Sequence, residues 1–177
     1  MSILKSSLSN ALPIAYVMLQ ILIVLNWLMA AGILALLIVS IANEHWFMSA
    51  LKLPPLPEGD WVLMGFRAIM VLGLTAIPLH YIVLKRLLAI VETVRAGDPF
   101  VTANAQRLQT IAWMLLLLNL LSIIIGAIGA SVSTREYPVH LDAGFSINGW
   151  LAVILTFVLA RVFAQGALMR EDLEGTI

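Results

Sequence analysis

Four long apolar runs limit what this chain can fold into. Each run has about 20 residues or more, the length that an α-helix needs to cross roughly 30 Å of hydrocarbon. Charged residues make up 11% of the chain, against roughly 25% in soluble proteins. The sequence therefore predicts an all-α integral membrane protein, a single-domain four-helix bundle over residues 1–177 with spans at about 11–41, 61–84, 108–132 and 147–168.

The distribution of lysine and arginine predicts the orientation of these spans. The loop between the second and third spans holds Lys85, Arg86, Arg95 and Arg107, whereas each of the other two loops holds one cation. Short loops rich in lysine and arginine remain in the cytoplasm. We therefore expect this middle loop and both termini to face the cell interior.

Composition argues against several classes of function. The chain has no cysteine, which excludes disulfides, thiolate metal sites, iron–sulfur clusters and thiol nucleophiles. Its net charge is zero, so direct binding to nucleic acid is not expected. No histidine or serine lies in a catalytic motif, and we expect neither enzyme activity nor a cofactor. A metal site is also not expected, and the weak candidates for one are Glu44, His45, His140 and Asp142.

Four polar side chains lie inside the predicted spans, namely Asn26, Arg67, Asn119 and Arg161. Each arginine is expected either to snorkel to a membrane surface or to make a structural hydrogen bond, and a role in binding or gating is the alternative. The asparagines are expected to supply hydrogen bonds between helices. The absence of Asp and Glu from the predicted spans argues against a proton-coupled transporter.

Small residues at a spacing of four indicate where helices approach closely. Ser122, Gly126 and Ala130 form one such series in the third span, and Ala160 and Ala164 form another in the fourth. Small residues at this spacing let two helix backbones come into contact. Either the third and fourth spans pack tightly, or one of these seams forms a homodimer; the pattern fits both.

The polar segment RAGDPFVTANAQRLQ, residues 95–109, predicts a helical hairpin on the cytoplasmic side. The second span is expected to continue as a helix through Lys85 to Arg95, where Gly97 ends it in the left-handed conformation. Pro99 favours an extended or turn geometry for the residue before it. Thr102 is expected to cap the next helix. Phe100 is an apolar side chain beside this turn that must pack against another surface.

The same segment resembles a bacterial family of four-span membrane proteins known as a domain of unknown function. The family carries a G-x-P-F-x-x-x-N-x-x-R-L turn, matched here by Gly97, Pro99, Phe100, Asn104, Arg107 and Leu108. It also ends in a tail matched by Phe163, Gly166, Leu168 or Met169, the acidic run from Glu171 to Glu174, Thr176 and Ile177. The resemblance implies a location in the bacterial inner membrane. It also implies a gene neighbour, a small helix-turn-helix regulator of the Cro/CI type.

This resemblance suggests a function in which the loop and the tail together bind such a regulator. The acidic residues Glu171, Asp172 and Glu174 would attract a basic DNA-binding protein, and Phe100 and Ile177 would supply apolar anchors. The expected partner-binding residues are Gly97, Pro99, Phe100, Asn104, Arg107, Glu171, Asp172, Glu174 and Ile177.

Two other hypotheses belong to different functional classes. In the first, Arg67 and Arg161 line a cavity in the bilayer that binds or transports an anionic or lipid-like ligand. In the second, the chain is a structural homodimer with a role in membrane stress, joined at the seam from Ser122 to Ala130.

Overall fold

The computed structural model describes the backbone of residues 2–52, 60–133 and 143–174 and the side chains of residues 12–52, 60–133 and 143–172. The described residues form five helices: α1 (Ser2–Ala42), α2 (Glu44–Ala50), α3 (Asp60–Arg95), α4 (Thr102–Val132) and α5 (Ile147–Glu174). Stretches long and apolar enough to cross a membrane are Leu12–Ala42, Asp60–Arg95, Thr102–Val132 and Ile147–Asp172. The predicted all-α fold of a multi-pass membrane protein is confirmed.

The four long helices pack side by side in chain order. α1 packs against α3, α3 against α4, and α4 against α5, while α2 contacts α1. The Arg95 guanidinium lies 5.1 Å from the centre of the Tyr16 ring of α1. Arg170 of α5 forms an ion pair with Asp98. The beginning of α1, the turn at residues 96–101 and the end of α5 thus share one end of the fold, which we call the hairpin end.

Two apolar clusters lie towards opposite ends of the fold. In the first, which lies towards the hairpin end, α3, α4 and α5 meet at the buried side chains Leu108, Ile111 and Ala160. In the second, α2 packs on the start of α3 through Phe47, Met48 and Leu63. Many other large apolar side chains are exposed, chiefly on α1 and α5, as expected for surfaces that face lipid.

The helices extend beyond the predicted spans because polar turns continue them past the hydrocarbon. α3 runs without interruption to Arg95, which confirms the predicted extension of the second span. α4 begins at Thr102 rather than Leu108, and α5 continues to Glu174. Hydropathy marks only the apolar part of each helix, so it misses these ends.

α1 and α3 are joined by a hydrogen bond inside the predicted spans. Asn26 Nδ2 donates to the carbonyl oxygen of Ile77 at 3.2 Å, directly before Pro78. Close to this bond, the rings of Trp27 and Tyr81 meet edge to face with their centroids 5.6 Å apart. A proline inside a helix removes a backbone hydrogen bond, and the Asn26 amide adds a polar contact beside that position.

The small residues of α4 pack against backbone of the same chain. Ser122 Oγ accepts a hydrogen bond from the Gly144 amide at 3.1 Å and donates to the Gly144 carbonyl at 3.3 Å. A Cβ atom added at Gly126 would lie 2.7 Å from Gly144 Cα and 2.8 Å from the Ala143 carbonyl oxygen. The surface of Ser122 and Gly126 is therefore occupied by the segment that leads into α5, whereas Ala130 is exposed.

Candidate partner-binding surface at the hairpin end

The turn between α3 and α4 is formed by backbone hydrogen bonds and one left-handed glycine. The amides of Ala96, Gly97 and Asp98 donate to carbonyls of the last turns of α3. Gly97 has φ of 84°, a conformation that glycine adopts at little cost. The predicted role of Gly97 as the residue that ends the helix is confirmed.

Asn104 connects the two arms of this turn and is completely buried. Its Nδ2 donates to Thr93 Oγ1 at 2.7 Å and to the Pro99 carbonyl oxygen at 2.8 Å. Its Oδ1 accepts a hydrogen bond from Arg107 Nη1 at 2.7 Å, and the same guanidinium nitrogen donates to the Ala89 carbonyl at 3.2 Å. Asn104 and Arg107 therefore fix the shape of the turn, and Asn104 does not reach the surface.

The end of α5 is attached to this turn by two polar contacts. Arg170 pairs with Asp98, and Thr102 Oγ1 donates to Glu171 Oε1 at 3.0 Å. The prediction that Thr102 caps α4 is wrong: Val101 occupies the N-cap position, and no side chain caps that helix end. The Thr102 hydroxyl bonds to α5 instead, because the Glu171 carboxylate is a charged acceptor and gives a stronger hydrogen bond than a neutral one.

Phe100 packs against α5 beside these polar contacts. Its ring centroid lies 5.3 Å from that of Phe163. A Cβ atom added at Gly166 would lie 2.9 Å from Phe100 Cδ1, so glycine provides the space for the ring. Phe100 nevertheless remains 44% exposed. We call the joined segments, residues 96–102 and 163–172, the hairpin surface.

The predicted partner-binding residues have different positions relative to the hairpin surface. Glu171 and Asp172 are exposed on it, and Gly97 is exposed in the turn. Pro99 is half-buried and accepts the Asn104 hydrogen bond through its carbonyl. The side chain of Glu174 and the whole of Ile177 lie outside the described residues.

Arg67 makes structural contacts at the opposite end of the fold. Its Nη2 donates to Glu44 Oε1 at 2.7 Å and to the carbonyl oxygen of Ser40. The side chain of Arg67 is 21% exposed, and that of Glu44 is 42% exposed. The guanidinium therefore holds the last turn of α1 and the first residue of α2 against α3. Of the roles predicted for Arg67, the structural hydrogen bond is the one that these contacts match.

Replacing Arg67 and Glu44 by glutamine, singly and together, is expected to reveal a coupling of about 1 kcal/mol, because the pair is only partly shielded from water. The measurement is a double-mutant cycle on the free energy of unfolding in detergent. The matched control pairs Arg67→Gln with His45→Gln, because His45 is the exposed neighbour of Glu44. Equal coupling in both cycles would contradict a specific Arg67–Glu44 contact.

The other two polar residues of the predicted spans are Asn119 of α4 and Arg161 of α5, and both lie where these two helices pack together. Asn119 Nδ2 donates to the Leu115 carbonyl of its own helix at 2.9 Å, and among the described residues the expected hydrogen bond to a neighbouring helix is not formed. The Asn119 side chain lies against Gly149 of α5, where it fills the space that a Cβ atom would need. Arg161 is exposed beside a cavity of about 350 Å³ between α4 and α5. Ala164 also lines this cavity.

The metal candidates of the sequence do not assemble among the described residues. Glu44 pairs with Arg67, His45 is exposed, and His140 and Asp142 lie outside the described residues. Within the part of the chain that the structure describes, no three histidine, cysteine, aspartate or glutamate side chains group to hold a metal ion.

A family model described as "Protein of unknown function (DUF2975)" matches residues 36–177. The chain belongs to this family. The resemblance to a family of unknown function is thereby confirmed. No curated protein and no solved structure matches the chain.

The region that matches the DUF2975 model contains every residue of the hairpin surface, and it also contains Arg67 and Glu44. Most of α1 precedes it. Sequence reasoning missed the two contacts that attach α5 to the turn. One signal was available in the sequence. The turn after α3 and the end of α5 must lie on the same side of the membrane, and both contain polar residues, namely Asp98, Thr102, Arg170 and Glu171.

Proposed function

We propose that this DUF2975 member is a non-enzymatic protein of the bacterial inner membrane that holds a small helix-turn-helix regulator at its hairpin surface. The observation that carries the proposal is the union of the turn and the end of α5 into one surface. Asp98 with Arg170, Thr102 with Glu171, and Phe100 with Gly166 join segments about 70 residues apart in the chain.

The charge distribution supports a cytoplasmic position for the hairpin end. Lys85, Arg86, Arg95, Arg107 and Arg170 all lie towards this end. In the sequence, the segments that connect the other pairs of spans contain only Lys52 and Arg135 as lysine or arginine. Positive residues in short loops remain on the cytoplasmic side. A cytoplasmic hairpin surface would be accessible to a DNA-binding protein, as the proposal requires.

The chemistry of the hairpin surface suits a basic partner with an apolar contact. Glu171 and Asp172 are exposed acids on the last turns of α5, and Glu174 adds a third carboxylate to the same segment of sequence. DNA-binding proteins carry clustered positive charge on the face that contacts phosphate. The exposed part of the Phe100 ring supplies an aromatic anchor, a residue type enriched where binding energy is concentrated.

The proposal divides the predicted residues into two groups. Glu171, Asp172, Glu174 and Phe100 would contact the regulator directly. The second group holds the turn in the shape that exposes these contact residues to the regulator; it consists of Asn104, Arg107, Gly97 and Pro99. Binding through the acidic face would also compete with DNA for the same basic surface, so a bound regulator would be kept from its operator.

Neutralising the three acids with Glu171→Gln, Asp172→Asn and Glu174→Gln is expected to lower capture of the regulator about tenfold, a loss equivalent to roughly 1.4 kcal/mol. Glutamine at position 171 retains an oxygen that can accept the Thr102 hydrogen bond, so the surface should keep its shape. The measurement is a pull-down of the full chain from native membranes, with bound proteins identified by mass.

The matched control is Glu92→Gln, which removes an exposed acid on α3 near the hairpin end but outside the hairpin surface. It should leave capture unchanged. A second readout is the distribution of the captured regulator between membrane and cytosol, which should shift to the cytosol only in the triple variant. A preparation that returns only this chain or lipid would contradict the proposal.

A further inference from the structure

A second cavity, of about 320 Å³, lies on the outside of α3 and α4 towards the hairpin end. Three basic side chains line it, namely Lys85 and Arg86 of α3 and Arg107 of α4. Its other lining residues are Tyr81, Ile82 and Ala89. Among the described residues no carboxylate lines this cavity, and none forms an ion pair with these three cations.

Along α3, the cavity lies at the level where the helix would leave the hydrocarbon and enter the layer of lipid head groups. α3 begins at Asp60, next to Trp61, and an α-helix covers roughly 30 Å of hydrocarbon in about 20 residues. The hydrocarbon therefore ends near Tyr81, a residue type enriched at the interface. Lys85 and Arg86 follow one turn later, at the depth of the lipid head groups.

The cations of the cavity are held in place to different degrees. Arg107 is fixed by its hydrogen bonds to Asn104 and to the Ala89 carbonyl. The Lys85 ammonium lies 5.6 Å from the centre of the Tyr81 ring. Arg86 is exposed. One hydrogen-bonded guanidinium beside two exposed cations leaves hydrogen-bond donors available to a ligand with several acceptor oxygens.

We propose that this cavity binds the phosphate of an anionic phospholipid head group. A phosphate diester offers the basic side chains two non-bridging oxygens that share one negative charge, and in an anionic lipid such as phosphatidylglycerol no cation of the head group offsets that charge. The phosphate lies at the same depth in a bilayer as these side chains. Arginine and lysine form charge-assisted hydrogen bonds with phosphate. The acyl chains of the same lipid would extend along the apolar stretches of α3 and α4.

The test titrates the purified full chain in a neutral detergent with short-chain phosphatidylglycerol, short-chain phosphatidylcholine or inorganic phosphate, and native mass spectrometry counts bound molecules. Saturable binding of phosphatidylglycerol, in preference to phosphatidylcholine, is expected. Lys85→Gln and Arg86→Gln together should weaken it about tenfold, as expected for lost charge-assisted hydrogen bonds. Arg107 is not replaced, because it also holds the turn.

The matched control is Arg95→Gln, which removes an exposed cation of α3 at the hairpin end but outside the cavity. It should change the affinity less than about twofold, since only general attraction is lost. Far-UV circular dichroism verifies that each variant is folded.

An equal loss of affinity in the control variant, or equal binding of phosphatidylcholine, would overturn the proposal. Displacement of the lipid by inorganic phosphate at the same concentration would overturn the lipid assignment in favour of a soluble anion.

Discussion

Replacing Asn104 by alanine is expected to lower the free energy of unfolding by about 3 kcal/mol, because it removes hydrogen bonds worth about 1 kcal/mol each and leaves half-buried partners short of a hydrogen bond. The partners are Thr93, the Pro99 carbonyl and Arg107. Unfolding by a denaturing detergent, followed by circular dichroism, measures the change.

Gln109→Ala serves as the matched control for this substitution, because Gln109 is an exposed amide side chain on the same helix. It should alter the free energy of unfolding by less than about 0.5 kcal/mol. If Asn104→Ala proved as mild as its control, the buried amide would not hold the turn together. The Asn104 variant should also reduce capture of the proposed regulator, since the hairpin surface depends on the shape of the turn.

Replacing Gly126 by alanine is expected to destabilise the fold by about 2 kcal/mol, within the range found for overpacked sites. The new methyl group would lie 2.7–2.9 Å from backbone atoms of Ala143 and Gly144, which cannot rotate away as a side chain can. Gly32→Ala is the control, because a Cβ atom at Gly32 meets nothing within 4 Å. That change should be neutral or slightly stabilising, since alanine favours a helix over glycine.

The same pair of variants tests the homodimer hypothesis. If Gly126 acts within one chain, the loss of stability should not depend on protein concentration. A loss that diminishes at high concentration, with a change in oligomeric state in mild detergent, would instead place Gly126 between two copies of the chain.

The membrane fold was predictable because long apolar runs have few alternatives in a bilayer. The end of α3 was also predictable, because glycine at position 97 and the aspartate–proline pair after it are local signals. Such signals act over a few residues, and they do not depend on which helix lies beside them.

The contacts between distant segments were less predictable. From the sequence alone, several residues are equally suitable hydrogen-bond partners for the same polar side chain. Threonine is a common N-cap residue, but Thr102 donates its hydrogen bond to Glu171. Asn119 donates to a carbonyl of its own helix. Glu44 was considered as a metal ligand, whereas the structure pairs it with Arg67. Each outcome depends on the helix packing, which hydropathy does not specify.

The arrangement of the helices in chain order has a thermodynamic consequence. Among the described residues, α1 has one extensive contact with another long helix, the one with α3, whereas α3 and α4 are each packed on two sides. Release of α1 would leave the other three long helices in contact, so we expect α1 to unfold separately from a cooperative unit of three helices. A single unfolding free energy then describes the molecule only when probes on α1 and on α4 report the same transition.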